Sequence, residues 1–399
     1  MKKILFVMYS LNNGGAERSL VNLLEELDPK RYEIDLLLFA QEGMFLSQVP
    51  DYVNIISGGE KLEILYSQYA KWSIKTLPLK LYKVISTVNT RITEKGMQTQ
   101  NAARWIKYYS KIIPSLNRQY DLAVAYISRD IMYYVDEKVT AKRKIVFIHN
   151  DYKAAGHPKK YDTPYFERMN ILATISDTCT EVLREEFPLM KNKIVNVPNI
   201  VSSKVIQKRA ENNVPIEFEN DKVLKIVSIG RLNEQKGFDW AIYASKILKD
   251  QGIKFKWLII GNGELQGTLN KLIESTDTGK YIYLIGPREN PYIYMKSADI
   301  VVQSSRWEGK SVVLDEAKII GTPIVTTNYP TAKDQILNEE EGLIVDMNPE
   351  GIADGIKRLG EDKKLYEHIH TYLVNHEYGN SNEIEKYDGC MPAIPVVDT

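Results

Sequence analysis

The chain has 399 residues, a hydrophobic fraction of 44%, a charged fraction of 26% and equal numbers of acidic and basic residues. This length exceeds one ordinary domain and fits two, and the composition excludes a disordered or fibrous protein. The two cysteines, Cys179 and Cys390, are far apart in the sequence. This argues against a disulfide framework or a thiolate metal site and suits a reducing cytosol.

The amino-terminal segment is predicted to be a buried strand. Its apolar run, Ile4 to Tyr9, is six residues long and passes directly into a polar turn that ends with Gly14 and Gly15. A secretory signal needs about 7–15 apolar residues followed by a cleavage site. No stretch approaches the roughly 20 apolar residues that span a bilayer. We therefore expect a cytoplasmic protein whose contact with a membrane, if it has one, is peripheral.

Residues 71–114 hold nine Lys or Arg side chains against one acid, Glu94. Their apolar members have helical spacing. One interpretation is a basic helix pair packed on its own domain. The other is attachment to an anionic bilayer, where each basic residue contributes about 1 kcal/mol and aromatic side chains lie at the interface. We expect no nucleic-acid partner, because no binding motif accompanies the charge. The apolar members are Ile74, Leu77, Leu81, Val84, Ile85 and Val88, and the aromatic ones are Trp72, Tyr82, Trp105, Tyr108 and Tyr109.

Short apolar runs rich in β-branched residues recur along the chain and alternate mostly with helical segments. This alternation predicts parallel sheets covered by helices on both faces. The predicted strands are Ile4–Tyr9, Ile34–Phe39, Leu122–Ile127, Ile145–His149 and Leu172–Ser176 in the first half, and Leu224–Ile229, Phe255–Ile260, Ile282–Ile285, Ile300–Gln303, Pro323–Thr326 and Leu343–Val345 in the second.

The polar stretch after residue 201 divides these strands into two doubly wound α/β domains. We predict an amino-terminal Rossmann-like domain over residues 1–201, a linker over 202–222, a second Rossmann-like domain over 223–375, and a tail, 376–399, that packs back on the first domain. Ligands of such sheets bind beyond the carboxyl ends of the strands. Two such domains in one chain suggest a cleft between them.

Arg231 and Lys236 lie on the predicted loop between the strand that ends at Ile229 and the helix that begins near Phe238. Two cations beside a helix N-terminus are well suited to bind a diphosphate. A surface pair of charges is the alternative for this motif on its own.

Gly261, Gly263 and Gly267 follow the next strand, but their spacing is one residue longer than the dinucleotide-binding fingerprint. The spacing therefore argues against a dehydrogenase, although glycines at this edge allow the backbone to approach a ligand closely. Gly286 and Pro287 follow the third strand and end on the same edge.

Glu308 and Glu316 are eight positions apart, the first in a loop and the second on the following helix, with Ser311 a plausible N-cap. Eight residues of one continuous helix would put the two acids about 80° apart. A loop followed by a helix instead lets both line one elongated ligand. Carboxylates accept hydrogen bonds from vicinal hydroxyls, so one acid suits a hexose and the other a ribose.

The motifs GGAERSLVNLL, FIHND, VPNIV, IGRLNEQKGFD, GNGELQ, EGKSVVLDEA and GTPIVTT occur in this order over roughly residues 1–360. In this combination the chain resembles bacterial glycosyltransferases of family 4 (group 1), the retaining, capsule and exopolysaccharide type with the GT-B fold. The resemblance implies two Rossmann-like domains that face a central cleft.

The resemblance also implies roles for single residues. Glu308 would contact the donor sugar and Glu316 the ribose, while Arg231 and Lys236 would neutralise the diphosphate. His149 would lie close to the reacting centre. The other donor-binding candidates are Gly14, Gly15, Gly263, Gly286, Pro287 and the backbone amides of Gly309, Lys310 and Ser311. Lys310 and Ser311 depart from the family, where an aromatic residue and a glycine follow Glu-Gly, so the identity of the donor stays open.

We expect a nucleotide-sugar substrate, with UDP favoured and GDP possible, and a lipid-linked or polysaccharide acceptor. No cofactor or metal is expected, because the sequence holds no Asp-x-Asp and no histidine–carboxylate cluster with metal spacing. The peripheral location expected above would then be the inner face of the cell membrane. Two other hypotheses remain open: a nucleotide-sugar epimerase or phosphorylase on the same fold, and a catalytically silent subunit.

Overall fold

The computed structural model describes residues 1–12, 14–67, 73–211, 215–218, 223–308 and 310–390, the last three of these without their side chains. The chain divides into two compact units. The first unit comprises Met1–Ile200 and Asn382–Thr399, and the second comprises Val201–Ser381. Each unit is described by itself below.

The first unit is built on a seven-stranded, all-parallel sheet in the order β3-β2-β1-β4-β5-β6-β7. The central strands are buried on both faces, in keeping with their continuous apolar sequences. The strands are β1 (Lys2–Met8), β2 (Tyr32–Leu38), β3 (Asn54–Ser57), β4 (Gln119–Ala125), β5 (Thr140–Ile148), β6 (Ile171–Thr174) and β7 (Ile194–Asn196).

Eight helices in this part of the chain connect the strands, and a ninth follows near the end of the described residues. They are α1 (Gly15–Glu26), α2 (Glu60–Tyr66), α3 (Leu77–Thr93), α4 (Met97–Arg104), α5 (Ser110–Ile112), α6 (Asp130–Lys138), α7 (Lys159–Arg168), α8 (Asp177–Glu186) and α17 (Ile384–Cys390). Tyr387 of α17 is buried in the first unit, where its ring stacks on Phe147 and its hydroxyl donates to the Pro198 carbonyl at 2.9 Å.

The second unit has a six-stranded parallel sheet in the order β10-β9-β8-β11-β12-β13. Its strands are β8 (Leu224–Ile229), β9 (Phe255–Ile260), β10 (Ile282–Gly286), β11 (Ile300–Gln303), β12 (Ile324–Thr327) and β13 (Gly342–Val345). Its helices are α9 (Ser203–Ala210), α10 (Phe238–Asp250), α11 (Gln266–Ser275), α12 (Tyr292–Ser297), α13 (Val312–Ile320), α14 (Ala332–Gln335), α15 (Pro349–Glu361) and α16 (Lys363–Asn375).

The predicted fold class, two doubly wound parallel α/β sheets, is confirmed. All eleven predicted strands form within one or a few residues of their expected bounds, whereas the edge strands β3 and β7 were missed. Part of the stretch predicted as a linker is α9, which packs against α12 and α13 of the second unit. Residues 212–214, 219–222 and 391–399 of the predicted linker and tail lie outside the described residues.

Candidate functional site

The strand order of the second sheet has a switch point between two neighbouring loops. From β8 the chain goes next to β9 on one side, and β11 pairs with β8 on the other. The loops that leave β8 and β11, residues 230–237 and 304–311, therefore diverge at the carboxyl edge. In open α/β sheets this switch point is where ligands bind.

Lys236 and Glu308, one from each of these loops, form an ion pair at the switch point. Lys236 Nζ lies 2.6 Å from Glu308 Oε1, and the two side chains are only 17% and 8% exposed. Ser305 Oγ donates to the same oxygen at 2.7 Å, and Gln235 Nε2 donates to Oε2 at 3.2 Å. The carboxylate is thus held by three donors, while Glu308 Oε1 is the one side-chain acceptor that the ammonium has among the described residues. An ammonium has three N–H groups. The bond to Glu308 uses one of them, and the other two N–H groups could bind a ligand.

The backbone around Lys236 explains why this lysine is well placed. Asn233 Oδ1 accepts from the Lys236 amide at 3.2 Å and caps the short helical turn that carries it. Ser304 Oγ donates to the Lys236 carbonyl at 2.9 Å. Gly237 has φ +61°, and a Cβ there would come within 2.1 Å of the Ser304 carbonyl oxygen. The end of the loop after β8 therefore contacts the start of the loop after β11, and only glycine at position 237 allows this close backbone contact.

Arg231 is not part of this ion pair. Its side chain is 72% exposed, and its Nε lies 3.5 Å from Glu264 Oε2, a weak surface contact. The structure thus separates the two cations that the sequence grouped together.

Glu316, on α13, is fully buried. Its Oε1 accepts from the Tyr292 hydroxyl at 3.0 Å. No local pattern in the sequence marks this tyrosine as a partner of Glu316, because its hydroxyl comes from α12, 24 positions away.

The loop after Glu308 corrects two expectations for Ser311. Its hydroxyl donates to Gln303 Oε1 at 2.6 Å rather than capping α13, and its amide donates to Gln335 Oε1 at 2.8 Å rather than lying open to a ligand. Lys310 is exposed, and its Nζ lies 3.5 Å from Asp315 Oδ2. Gly309 lies outside the described residues.

The glycines of the neighbouring strand ends have different surroundings. A Cβ on Gly263 would lie 2.4 Å from the Leu232 carbonyl oxygen, so this glycine lets the β9 loop pack against the β8 loop. Gly286, with φ +73°, has no atom within 4 Å of such a Cβ, and Pro287 follows it at the same edge. Of the two glycines, the second is the one that faces open space.

In the first unit, Gly14 and Gly15 begin α1 beside β1. A Cβ on Gly14 would come within 2.0 Å of Glu17 Oε2, so Glu17 folds back over Gly14, whereas Gly15 faces open space. Burial raises the pKa of Glu17 above its usual range. No role was predicted for Glu17 from the sequence, although this residue lies within the GGAE motif.

His149 follows β5 in the same unit. Its Nε2 lies 2.8 Å from the Tyr126 carbonyl oxygen. A carbonyl only accepts hydrogen bonds, so Nε2 carries the proton. Its Nδ1 is buried and has no partner among the described residues. Burial lowers the pKa of His149 to about 4. The imidazole is therefore neutral near pH 7 and offers a lone pair to a hydroxyl or amide donor.

The basic stretch forms α3, α4, a π-helical segment (Trp105–Tyr109) and α5, with Lys71 and Trp72 outside the described residues. Five apolar side chains of α3 are 50–57% exposed, and Ile92 is 80% exposed. This apolar face is therefore not packed on its own domain. Two expectations need correction: Trp105 and Tyr109 are core residues, and Lys80 is buried. The five side chains are Leu77, Leu81, Val84, Ile85 and Val88.

No helix among the described residues is both long and apolar enough to cross a membrane. Over those same residues, no group of three or more His, Cys, Asp or Glu side chains could hold a metal ion.

Residues 210–373 match the sequence family described as glycosyl transferases group 1. The uncharacterized glycosyltransferase MJ1059 of Methanocaldococcus jannaschii is 29% identical over 180 residues, which are 44% of this chain and 44% of that relative. A second relative is the N-acetylgalactosamine-N,N'-diacetylbacillosaminyl-diphospho-undecaprenol 4-alpha-N-acetylgalactosaminyltransferase of Campylobacter jejuni, 24% identical over 92% of both chains.

A solved structure of S. aureus TarM, in complex with fondaparinux, alpha-GlcNAc-glycerol and UDP, matches with a TM-score of 0.65. It is 16% identical, and the match covers 98% of this chain and 100% of that one. This similarity concerns the fold, which is that of GT-B glycosyltransferases. Residues 210–373 therefore carry a group 1 glycosyltransferase domain.

Proposed function

We propose that this protein is a retaining, metal-independent glycosyltransferase of family 4. It transfers a sugar from a nucleoside-diphosphate sugar to a lipid-linked or polysaccharide acceptor in the synthesis of a bacterial surface polysaccharide. The observation that carries this proposal is the ion pair between Lys236 and Glu308 at the switch point of the second sheet. The motif resemblance and the group 1 match support it.

The chemistry of the donor requires a positive charge beside the leaving group. Cleavage of the anomeric C–O bond leaves a nucleoside diphosphate, so the transition state develops negative charge on the leaving group. The Lys236 ammonium is mostly shielded from water and fixed by the carboxylate, and it can therefore stabilise that charge without reorganising. Arg231, which is exposed, would reach the diphosphate only by changing its conformation.

Retention and metal independence are the finer parts of the proposal. The acceptor would attack from the same face that the diphosphate leaves, and the leaving phosphate would take up the acceptor proton. Nuclear magnetic resonance of the product then shows the same anomeric configuration as the donor. Turnover should survive excess EDTA, and a requirement for an added divalent cation would contradict the second part.

The names of related proteins support the substrate classes. UDP is bound in the TarM structure, and the acceptor of the Campylobacter jejuni relative is a sugar linked to diphospho-undecaprenol. We therefore propose a UDP-sugar donor, with GDP as the alternative, and a saccharide linked to a polyprenyl diphosphate.

A lipid-linked acceptor requires contact with a bilayer, and α3 provides the surface for it. Its exposed apolar face lies in a stretch that is rich in lysine and arginine. An amphipathic helix of this kind buries its apolar side chains at the boundary of the acyl chains, while the cations meet anionic headgroups. We propose that the protein is cytoplasmic and peripheral at the inner face of the cell membrane through residues 71–114.

A thermal-shift panel of UDP, GDP, ADP and their sugar conjugates, without metal, tests the donor site. A ligand at 100 times its Kd stabilises the folded protein by about 2.7 kcal/mol, which gives a visible shift. One nucleotide series should stabilise the wild type, and Lys236→Ala should abolish that shift. Release of the free nucleoside diphosphate only when acceptor is present separates transfer from epimerisation. The absence of any nucleotide shift would favour a silent subunit.

A further inference from the structure

Arg129 has a backbone conformation that an L-residue rarely adopts. Its φ is +73° and its ψ is −139°, and it lies between the end of β4 and the start of α6. This region is populated almost entirely by glycine, and another residue there costs of order 1–3 kcal/mol. Such a conformation persists where the surrounding structure holds the side chain in a required place.

Arg129 lies at the switch point of the first sheet. β1 pairs with β2 on one side and with β4 on the other, so the loops after β1 and β4 diverge here. The Arg129 guanidinium lies 5.9 Å from the centre of the ring of Tyr9, the residue after β1. Its Nη1 donates to Gln98 Oε1 of α4 at 3.1 Å. The guanidinium is thus fixed in position by neutral groups.

A second arginine lies on α4, the helix that carries Gln98. Arg104, at the end of α4, donates to Thr87 Oγ1 at 2.9 Å and to Asn101 Oδ1. Both arginines lower the pKa of Asp130, although burial, the larger effect, raises it above its usual range. Among the described residues, neither guanidinium lies within ion-pair distance of a carboxylate. Neither arginine therefore has a fixed ion pair among the described residues, although both interact electrostatically with the buried Asp130 carboxyl.

We propose that Arg129, supported by Arg104, binds the phosphate group of the acceptor. This inference rests on the proposed function. Two features favour the acceptor over the donor. The site lies in the first unit, whereas the cation proposed for the leaving diphosphate, Lys236, lies in the second. Gln98 and Arg104 belong to the basic stretch that begins with the proposed membrane-binding helix. A guanidinium also suits a phosphate, because its N–H groups match two phosphate oxygens at once.

The competing explanation is that Arg129 only compensates the buried Asp130, whose carboxylate also accepts from the Tyr66 hydroxyl at 2.7 Å. The two explanations make different predictions about stability. If the side chain only compensates Asp130, Arg129→Gln should destabilise the protein. If the side chain serves a ligand, Arg129→Gln should leave stability nearly unchanged, and glycine at this position should also relieve the backbone strain.

The experiment compares three variants: Arg129→Gln, Arg129→Lys and Arg129→Gly. Calorimetric titration of the full chain, with UDP at saturation to occupy the donor site, measures binding of farnesyl diphosphate, farnesol and inorganic diphosphate. UDP binding is measured separately. We expect Arg129→Gln to weaken farnesyl diphosphate binding at least about tenfold, the loss of one charge-assisted bond. Arg129→Lys should lose less, and UDP affinity should stay unchanged in all three.

Arg129→Gly should lose binding as Arg129→Gln does, yet melt about 2–6 °C higher than that variant, because glycine relieves the backbone strain. The proposal is overturned if farnesyl diphosphate binds the wild type and Arg129→Gln equally or binds neither. It is also overturned if UDP affinity falls in parallel, if inorganic diphosphate binds as tightly as the prenyl compound, or if Arg129→Gly melts below Arg129→Gln. Failure of the wild type to bind UDP would instead refute the proposed function.

Discussion

Lys236 is the residue on which the proposed donor site depends. Its ammonium is paired with Glu308 at 2.6 Å in a largely buried position. Lys236→Ala should therefore remove the charge that stabilises the leaving diphosphate and leave Glu308 without its cation. We expect kcat/KM to fall about 10²–10³-fold, as for loss of one preorganised donor.

Arg231→Ala is the matched control, since its side chain is 72% exposed and makes one weak contact. Steady-state kinetics of both variants with the donor found by thermal shift decides the question. Equal losses in the two variants would show that Arg231 moves onto the diphosphate, contrary to its position in this structure.

His149 should make stability depend on pH in a defined direction. Its pKa is about 4 in the folded chain because of burial, against an ordinary value of about 6.5. Between these values the unfolded chain binds more protons, so stability is lost as the pH falls through this window. The contribution at pH 7 is roughly 3 kcal/mol relative to pH below 4.

The comparison with His149→Gln isolates this effect, since glutamine does not titrate. Urea unfolding of both proteins at pH 7 and pH 4.5 should show a stability difference that shifts against the wild type as the pH falls. His157 and Asp162, whose pKa values are also shifted by burial, are present in both proteins and cancel. A difference that does not change with pH would mean that the ring is hydrated in solution.

At the scale of elements, α3 carries the prediction for membrane binding. Leu81→Ser with Ile85→Ser removes two of its exposed apolar side chains. Each buried aliphatic side chain contributes about 1.5–3 kcal/mol, so we expect binding to anionic phospholipid vesicles to fall at least about tenfold. Co-sedimentation with vesicles measures it.

Leu189→Ser is the control, because Leu189 is 99% exposed on the same unit but outside α3. It should bind vesicles as the wild type does. If the α3 variant also binds normally, the apolar face serves another partner, such as a second copy of the chain, which sedimentation velocity would reveal.

The elements themselves were predictable to different degrees. The central strands are long, apolar and buried on both faces, so their sequence pattern alone identified them. β3 and β7 are short edge strands with partly polar sequences, Asn54–Ser57 and Ile194–Asn196, and no local pattern separates them from loops. Trp105 and Tyr109 were assigned to a surface because their segment is basic, but their rings fill the core beneath it.

At the scale of the whole molecule, the carboxyl-terminal segment is part of the first unit. Tyr387 is 1% exposed, stacks on Phe147 and donates to the Pro198 carbonyl. Tyr387→Ala should lower the unfolding free energy of that unit by about 3–5 kcal/mol, the cost of a cavity of aromatic size. Differential scanning calorimetry measures the loss.

Tyr387→Phe keeps the ring and loses only the hydrogen bond, so it should cost about 1 kcal/mol. UDP affinity should be unchanged in both variants, because Lys236 and Glu308, the pair proposed to hold the diphosphate, belong to the second unit. A loss of nucleotide binding in Tyr387→Ala would show that the first unit contributes to the donor site through this segment.

The sequence by itself determined the two parallel α/β units, because buried parallel strands require continuous apolar runs separated by helices. It also predicted Lys236, Glu308 and His149 as site residues, because these residues follow strands. Only the tertiary structure decided which of these groups meet. The pairing of Lys236 with Glu308, 72 residues away, the separation of Arg231 from that pair, and the approach of Arg129 to Tyr9 follow from the order of strands in each sheet. Strand order depends on contacts between residues far apart in the chain, which no local pattern encodes.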